Sequence, residues 1–335
     1  LLSRSQFRLK FEELFYIQLQ LILKNIIHKS KIKGYRFETV GDYFNTFYNK
    51  HLPFELTNAQ KRVLKEIRID MGSNAQMNRL LQGDVGSGKT IVALMSMFIA
   101  IDNDFQSTLM APTEILAFQH YNGLKPFCDL IGVKIALLTG SSKIAARRVI
   151  HEQLESGELQ IIVGTHALLE DKVKFKNLGL AIIDEQHRCG VAQRSKLWKK
   201  NDSPPHILVM TATPIPRTLA MSVYGDLDIS VIDELPAGRK PIKTVHRYDT
   251  NRLKVIGFIR EEIAKGRQIY IVYPLINESE SLDFKDLMDG YEGIVRDFPM
   301  PKYQVSMVHG QMKPADKEFE MQRFVKGETH IMVAT

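Results

Sequence analysis

The stretch MNRLLQGDVGSGKTIVALMSMF, residues 77 to 98, decides the fold. MNRLLQ reads as a strand and IVALMSMF as the start of a helix. Between them Gly83, Gly88, Lys89 and Thr90 fit the spacing GxxxxGK[ST], in the strand-to-helix setting that this spacing requires. Glycines let successive backbone N–H groups turn inward around phosphate oxygens, and the helix N-terminus adds its partial positive charge. In that reading Gly83, Gly86, Ser87, Gly88, Lys89 and Thr90 hold a nucleotide. Lys89 reaches the β and γ phosphates, and the Thr90 hydroxyl is a ligand for Mg²⁺. The bland reading, a glycine-rich turn, needs four fixed positions to coincide in the right setting.

Outward from this loop, short apolar runs alternate with longer helix-like stretches, the pattern of a parallel sheet wrapped by helices. The further strand candidates are residues 107–111, 133–138, 160–164, 180–184 and 206–210. After DELPAGRKPIK (233–243), whose prolines and glycine read as a linker, a second series runs through 268–274, 303–309 and 329–335. The run AIIDEQHRCG (181–190) ends a strand on Asp184 and Glu185, at the carboxyl edge where the phosphate loop also lies. Asp184 is the expected holder of Mg²⁺ and Glu185 the residue that orients or deprotonates a water. Two surface carboxylates ending a strand are the alternative. Upstream, Gln60 in LPFELTNAQKRVL has an amide that can pair with the N6 and N7 edge of adenine, or can simply start a helix.

The 335 residues exceed what one core usually holds, so two domains are expected. Lys plus Arg outnumber Asp plus Glu by 45 to 38, which suits an acidic partner such as nucleic acid without requiring one. Cys128 and Cys189 form no ligand spacing, and two thiols in a chain this long point to a reducing cytosol. No apolar run reaches the roughly 18 residues of a membrane span. The opening segment carries Glu12 and Glu13 and reads as an amphipathic helix rather than a signal peptide. The chain starts at Leu1 and stops at Thr335 after an apolar run, so it is expected to be part of a longer protein.

GDVGSGKT, MAPTEILAFQH, VGTHALLE, IIDEQHR and MTATPIPRTLA, in this order, resemble the successive motifs of a superfamily 2 helicase. The wording of the last two is similar to that of RecG, a family of bacterial ATP-dependent branched-DNA translocases. The match runs from about Leu52 to Thr335 and continues in IDELPAGRKPI and VHGQMKPADK. The resemblance implies an α/β fold: a RecA-like P-loop NTPase domain with a parallel sheet over residues 51–235. A helical linker precedes it over 1–50, and a partial second RecA-like domain follows over 236–335.

It also implies an ATP-dependent DNA helicase that uses ATP and Mg²⁺ to remodel forks and Holliday junctions in recombination and repair, as a cytoplasmic monomer. Lys89, Asp184 and Glu185 would be its catalytic residues. Gln186 and His187 would sense the γ-phosphate and pass its loss to the loop Thr211, Ala212 and Thr213, although His187 also fits an ordinary buried histidine. DNA contacts are expected from Pro112, Thr113 and Glu114, from Thr139 and Gly140, and from Gly164, Thr165 and His166. Small hydroxyls and backbone N–H groups there suit phosphate contact, and Thr113 and Thr165 equally suit helix capping.

Cys189 stands where the family has an aromatic, Phe118 where a polar residue is usual, and TGSSKIAARR is looser than the basic version of that loop. The wedge that engages a branch point, and the later motifs of the second motor domain with its arginine finger, are expected outside this sequence. A transcription-repair coupling translocase shares TATPIPRTL, but DEQH at 184 to 187 favours RecG. A nucleotide-controlled P-loop binding switch is the reading from a different class. Stimulation of ATP turnover by nucleic acid separates it from a motor.

Overall fold

Strand β1 (Asn78–Gly83) lies inside a parallel sheet with every residue buried, and that position fixes everything around it. The computed structural model describes residues 2–185, 203–213, 227–234, 242–273 and 280–335. The chain divides into two compact units, Leu1–Lys240 and Pro241–Thr335.

In the larger unit, β2 (Gln106–Met110), β3 (Ile135–Leu138), β4 (Ile161–Gly164), β5 (Leu178–Asp184), β6 (His206–Thr211) and β7 (Asp228–Ile232) join β1 in the order β3-β4-β2-β5-β6-β1-β7. All of these pairings are parallel. Strands β1, β2, β4, β5 and β6 are buried along their whole length, as sheets covered on both faces require. Six of these strands fall on the apolar runs of the sequence. β7, DISVI, was not anticipated: it is an edge strand, only partly buried, and its alternation is too short to register.

The helices of this unit begin with α1 (Leu2–Lys31), α2 (Asp42–Thr46) with a π turn at Phe47–His51, and α3 (Asn58–Met71). They continue with α4 (Lys89–Asp102), α5 (Glu114–Leu130) and α6 (Ile144–Ser156). Helix α4 is apolar on every side and correspondingly buried from Ile91 to Ile101. It carries the phosphate loop on its N-terminus, so the most deeply packed of the described helices of the unit holds that loop. Helix α1 departs from the amphipathic expectation. Its apolar residues are spread around the axis rather than gathered in one stripe, and Phe7, Leu9, Phe11, Leu14 and Ile17 are all exposed.

The smaller unit holds a parallel sheet in the order β8-β10-β9, from β8 (Ile269–Val272), β9 (Val305–Val308) and β10 (Ile331–Ala334). Helices α7 (Arg252–Ala264), α8 (Glu280–Asp297) and α9 (Pro314–Val325) accompany it. Its core gathers Ile256, Leu287, Ile294, Phe298, Ile331 and Val333. Among the described residues no helix is long and apolar enough to cross a membrane.

Candidate nucleotide and strand site

Register brings three loops together. Thr211 at the end of β6 pairs with Gln82 of β1, and Asp184 at the end of β5 pairs with Met210 of β6. The phosphate loop, the acidic pair and the TAT loop therefore leave three adjacent strands at the same carboxyl edge. This is where ligands bind on sheets of this kind.

The loop itself is shaped by glycine. Gly86 and Gly88 have φ of 76° and 87°, in the left-handed region, and a Cβ on Gly88 would lie 2.2 Å from Gln60 Nε2. Lys89 Nζ donates to the carbonyls of Gly83 (2.7 Å) and Asp84 (3.0 Å). Ser87 is fully buried and its hydroxyl has no hydrogen-bond partner among the described residues. Thr90 follows on the first turn of α4 and is half-buried.

Gln60 sits beside this loop, yet its amide is already engaged by the protein. Oε1 accepts from the Thr57 N–H at 2.9 Å and Nε2 donates to the Ser87 carbonyl at 2.8 Å. Thr57 Oγ1 in turn accepts from the Gln60 N–H, a complete capping box at the start of α3. The helix-start role and contact with the phosphate loop are thus combined in one buried side chain. Nearby, Arg62 bonds Asp233 at 2.8 Å and holds that carboxyl below the usual range, which ties α3 to the end of β7.

Asp184 is buried, and its Oδ2 accepts from His120 Nε2 at 2.7 Å. Glu185 adopts φ of 50°, unusual for a residue with a side chain, and its Oε1 accepts from the Ala212 N–H at 3.2 Å. Beyond it, Thr211 Oγ1 and Thr213 Oγ1 are 2.8 Å apart, and Thr211 Oγ1 accepts from the Thr213 N–H. Gln186, His187 and Cys189 lie outside the described residues. Among the described residues no cluster of three or more His, Cys, Asp or Glu forms a cage for a metal. One hydroxyl at Thr90 and one carboxylate at Asp184 instead make the sparse oxygen set that suits Mg²⁺ arriving on phosphates.

The proposed strand-contact residues gather on the other half of the same edge, where Met110 pairs with Gly164 and Gly164 with Leu138. Pro112, Thr113 and Glu114 lead into α5, with Thr113 Oγ1 accepting from the Leu116 N–H as its cap. Glu114 reaches across to the next loop and accepts from both the N–H and the hydroxyl of Ser141 at 2.9 Å. Arg147 braces that loop by donating to the carbonyls of Thr139 (2.7 Å) and Gly140 (3.0 Å). A Cβ on Gly164 would lie 2.2 Å from the Leu138 carbonyl, so only glycine fits there. Thr165 is buried with its hydroxyl unpartnered among the described residues, and His166 is exposed.

Sequence reasoning missed His120 and Arg147. His120 does carry a signal: it stands three residues after the buried Ala117 and four before the buried Leu124, on the inward face of α5.

The fold and the three converging loops define a P-loop domain of the DEAD/DEAH box helicase class, and the sequence model of that family matches residues 57–222. Full-length comparison narrows this further. The chain is 46% identical over 334 residues to the ATP-dependent DNA helicase RecG of Synechocystis, covering 100% of this chain and 40% of that protein. It is 45% identical to the RecG of Bacillus subtilis, covering 100% of this chain and 48% of the relative. A solved structure of RecG bound to a three-way DNA junction superposes with a TM-score of 0.79 at 38% identity, over 100% of this chain and 43% of the other. Mss116p bound to single-stranded RNA and AMP-PNP shares the fold, with a TM-score of 0.63 at 17% identity over 88% of this chain and 63% of that one. The chain belongs to the RecG family, and it spans less than half the length of the RecG relatives cited here.

Proposed function

We propose that the protein is an ATP-dependent DNA translocase that remodels branched DNA, with residues 51–235 as its first motor domain and 236–335 as part of a second. The observation that carries this is the convergence of the phosphate loop, Asp184 and Glu185, and Thr211–Thr213 on three neighbouring strands. Identity to RecG relatives along the whole chain supports the choice of DNA, and the RecG structure on a three-way junction supports branched DNA.

In this reading Lys89 exchanges the carbonyls of Gly83 and Asp84 for the β and γ phosphates of ATP, and the N–H groups around Gly86, Ser87 and Gly88 cradle them. Thr90 and Asp184 would hold Mg²⁺, which would supply charge neutralisation on the phosphates. Glu185 orients the attacking water and takes its proton. Gln60, already bonded to the loop at Ser87, presents adenine with an amide that must give up part of its present bonding. Pro112–Glu114, Thr139, Gly140 and Gly164–His166 track a strand by its backbone, which fixes position without reading sequence.

The protein acts as a cytoplasmic monomer in recombination and repair. The test is ATP turnover by the intact protein with forks, four-way junctions, linear duplex, single strands and RNA. Strong stimulation by branched DNA is expected. Turnover indifferent to every nucleic acid would leave a nucleotide switch as the better reading.

A further inference from the structure

Helix α5 joins the two halves of the carboxyl edge. Its N-terminal residues Thr113 and Glu114 belong to the strand-contact loops, and Glu114 is bonded to Ser141 of the neighbouring loop. Seven residues on from Thr113, two turns at about 1.5 Å of rise per residue, His120 meets Asp184. The pair is well shielded: the His120 side chain is 13% exposed and that of Asp184 11%. An ionised carboxylate can only accept, so Nε2 carries the hydrogen and donates it to Oδ2. One carboxylate oxygen is thereby engaged, and Oδ1 is the other acceptor.

We propose that His120 is a positioning residue: it sets the Asp184 carboxylate for the cation site and makes that setting depend on the position of α5. A partner that orients a metal-holding group typically alters affinity by about 10–100-fold when removed. The strand side of the proposal rests on the function proposed above. DNA seated on the loops at Thr113, Glu114 and Ser141 bears on the first turn of α5, and the bond from His120 carries any shift of that helix to Asp184. This route joins strand and cation through one helix and does not pass through Gln186, His187 or the TAT loop.

The experiment follows binding, not turnover. A fluorescent non-hydrolysable ATP analogue is titrated onto the intact protein at rising Mg²⁺, with and without forked DNA, for wild type and three variants. His120→Leu keeps bulk and removes the donor. His120→Asn keeps polarity but falls one carbon short of Asp184. His120→Gln places an amide nitrogen where Nε2 stands.

Leu and Asn are expected to raise the Mg²⁺ concentration at half-binding about tenfold, and Gln to restore it. Analogue binding in EDTA and DNA binding without nucleotide should stay as in wild type, whereas a merely structural defect would move all of them. In wild type DNA should shift the Mg²⁺ midpoint, and in Leu and Asn that shift should vanish. An unchanged midpoint in Leu and Asn, or Gln no better than Leu, overturns the positioning role. A DNA-induced shift that persists in both overturns the link through α5. Wild-type ATP turnover that ignores DNA would instead sink the functional reading and leave the Mg²⁺ result standing.

Discussion

Glu185 is held in a backbone conformation that a side chain disfavours, with φ of 50°. Such positions cost about 1–3 kcal/mol and persist where the surroundings hold them. Here the hold includes the bond from the Ala212 N–H to the Glu185 carboxylate and that from the Glu185 N–H to the Met210 carbonyl. Glu185→Gln keeps the acceptor for Ala212 and removes the carboxylate that the proposed function makes the base. ATP binding should survive while DNA-stimulated hydrolysis in the intact protein falls by about 10²–10⁴-fold, and equal loss of both would mean that Glu185 has another role. Lys89→Ala should behave differently, because it removes the cationic side chain of the 83–90 loop, which the proposed function places on the phosphates of ATP. Equilibrium titration should show binding of the ATP analogue lost, with the circular dichroism spectrum unchanged; undiminished affinity would overturn the phosphate-loop assignment. At this scale the glycines and Lys89 were legible because their spacing is a backbone requirement. The pairing of His120 was not, because its partner lies 64 residues further along the chain.

Among elements, the legible ones were those with one unambiguous environment. Strands β4, β5 and β6, buried along their whole length, read directly as apolar runs, and α4 read as helix from the motif that starts it. Edge strand β7 did not, since half-burial leaves a mixed sequence; α1 was legible as a helix but not in its faces, since apolar residues on every side suggest a stripe only when read in short windows. The TAT loop belongs to this scale. Thr211 and Thr213 bond to each other at the end of β6, and Ala212 between them holds Glu185. The strand therefore ends in a turn stapled by hydroxyls rather than by secondary structure. Replacing both threonines with Ala removes the staple and leaves the Ala212 N–H in place. ATP hydrolysis by the intact protein should remain within about tenfold of wild type while unwinding of a fork falls by a further order of magnitude. Rates that drop in proportion would assign the loop to hydrolysis itself.

At the scale of the whole molecule, the larger unit is closed at its amino edge by the segment before α2, which no motif announces. Residues 32–41 lie along that edge through bonds from the Gly34 N–H to the Asn74 carbonyl and from the Phe37 N–H to the Met71 carbonyl. Asp102 at the end of α4 accepts from the N–H groups of Gly41, Tyr43 and Phe44. His206, the first residue of β6, is fully buried at the centre of this closure. Its Nδ1 accepts from the Met77 N–H at 2.9 Å, so Nε2 carries the hydrogen and donates to the Tyr35 carbonyl at 2.7 Å. Burial pushes its pKa down to about 4 from the ordinary 6.5, against the smaller opposing effect of the Tyr35 carbonyl. A proton on Nδ1 would turn the acceptor of Met77 into a second donor facing it. The unfolded chain takes up that proton from pH 6.5 downward and the folded chain resists it until about pH 4. The contribution of His206 is therefore complete above pH 6.5 and declines by about 1.4 kcal/mol per pH unit below it, levelling off once the folded form is protonated. Urea unfolding of the protein at pH 7.5, 6.0 and 5.0 should show this loss. His206→Gln, which cannot titrate and can keep at most part of the bonding, should be less stable at pH 7.5 yet flatter with pH. Equal slopes in the two proteins would show that the pH dependence arises elsewhere.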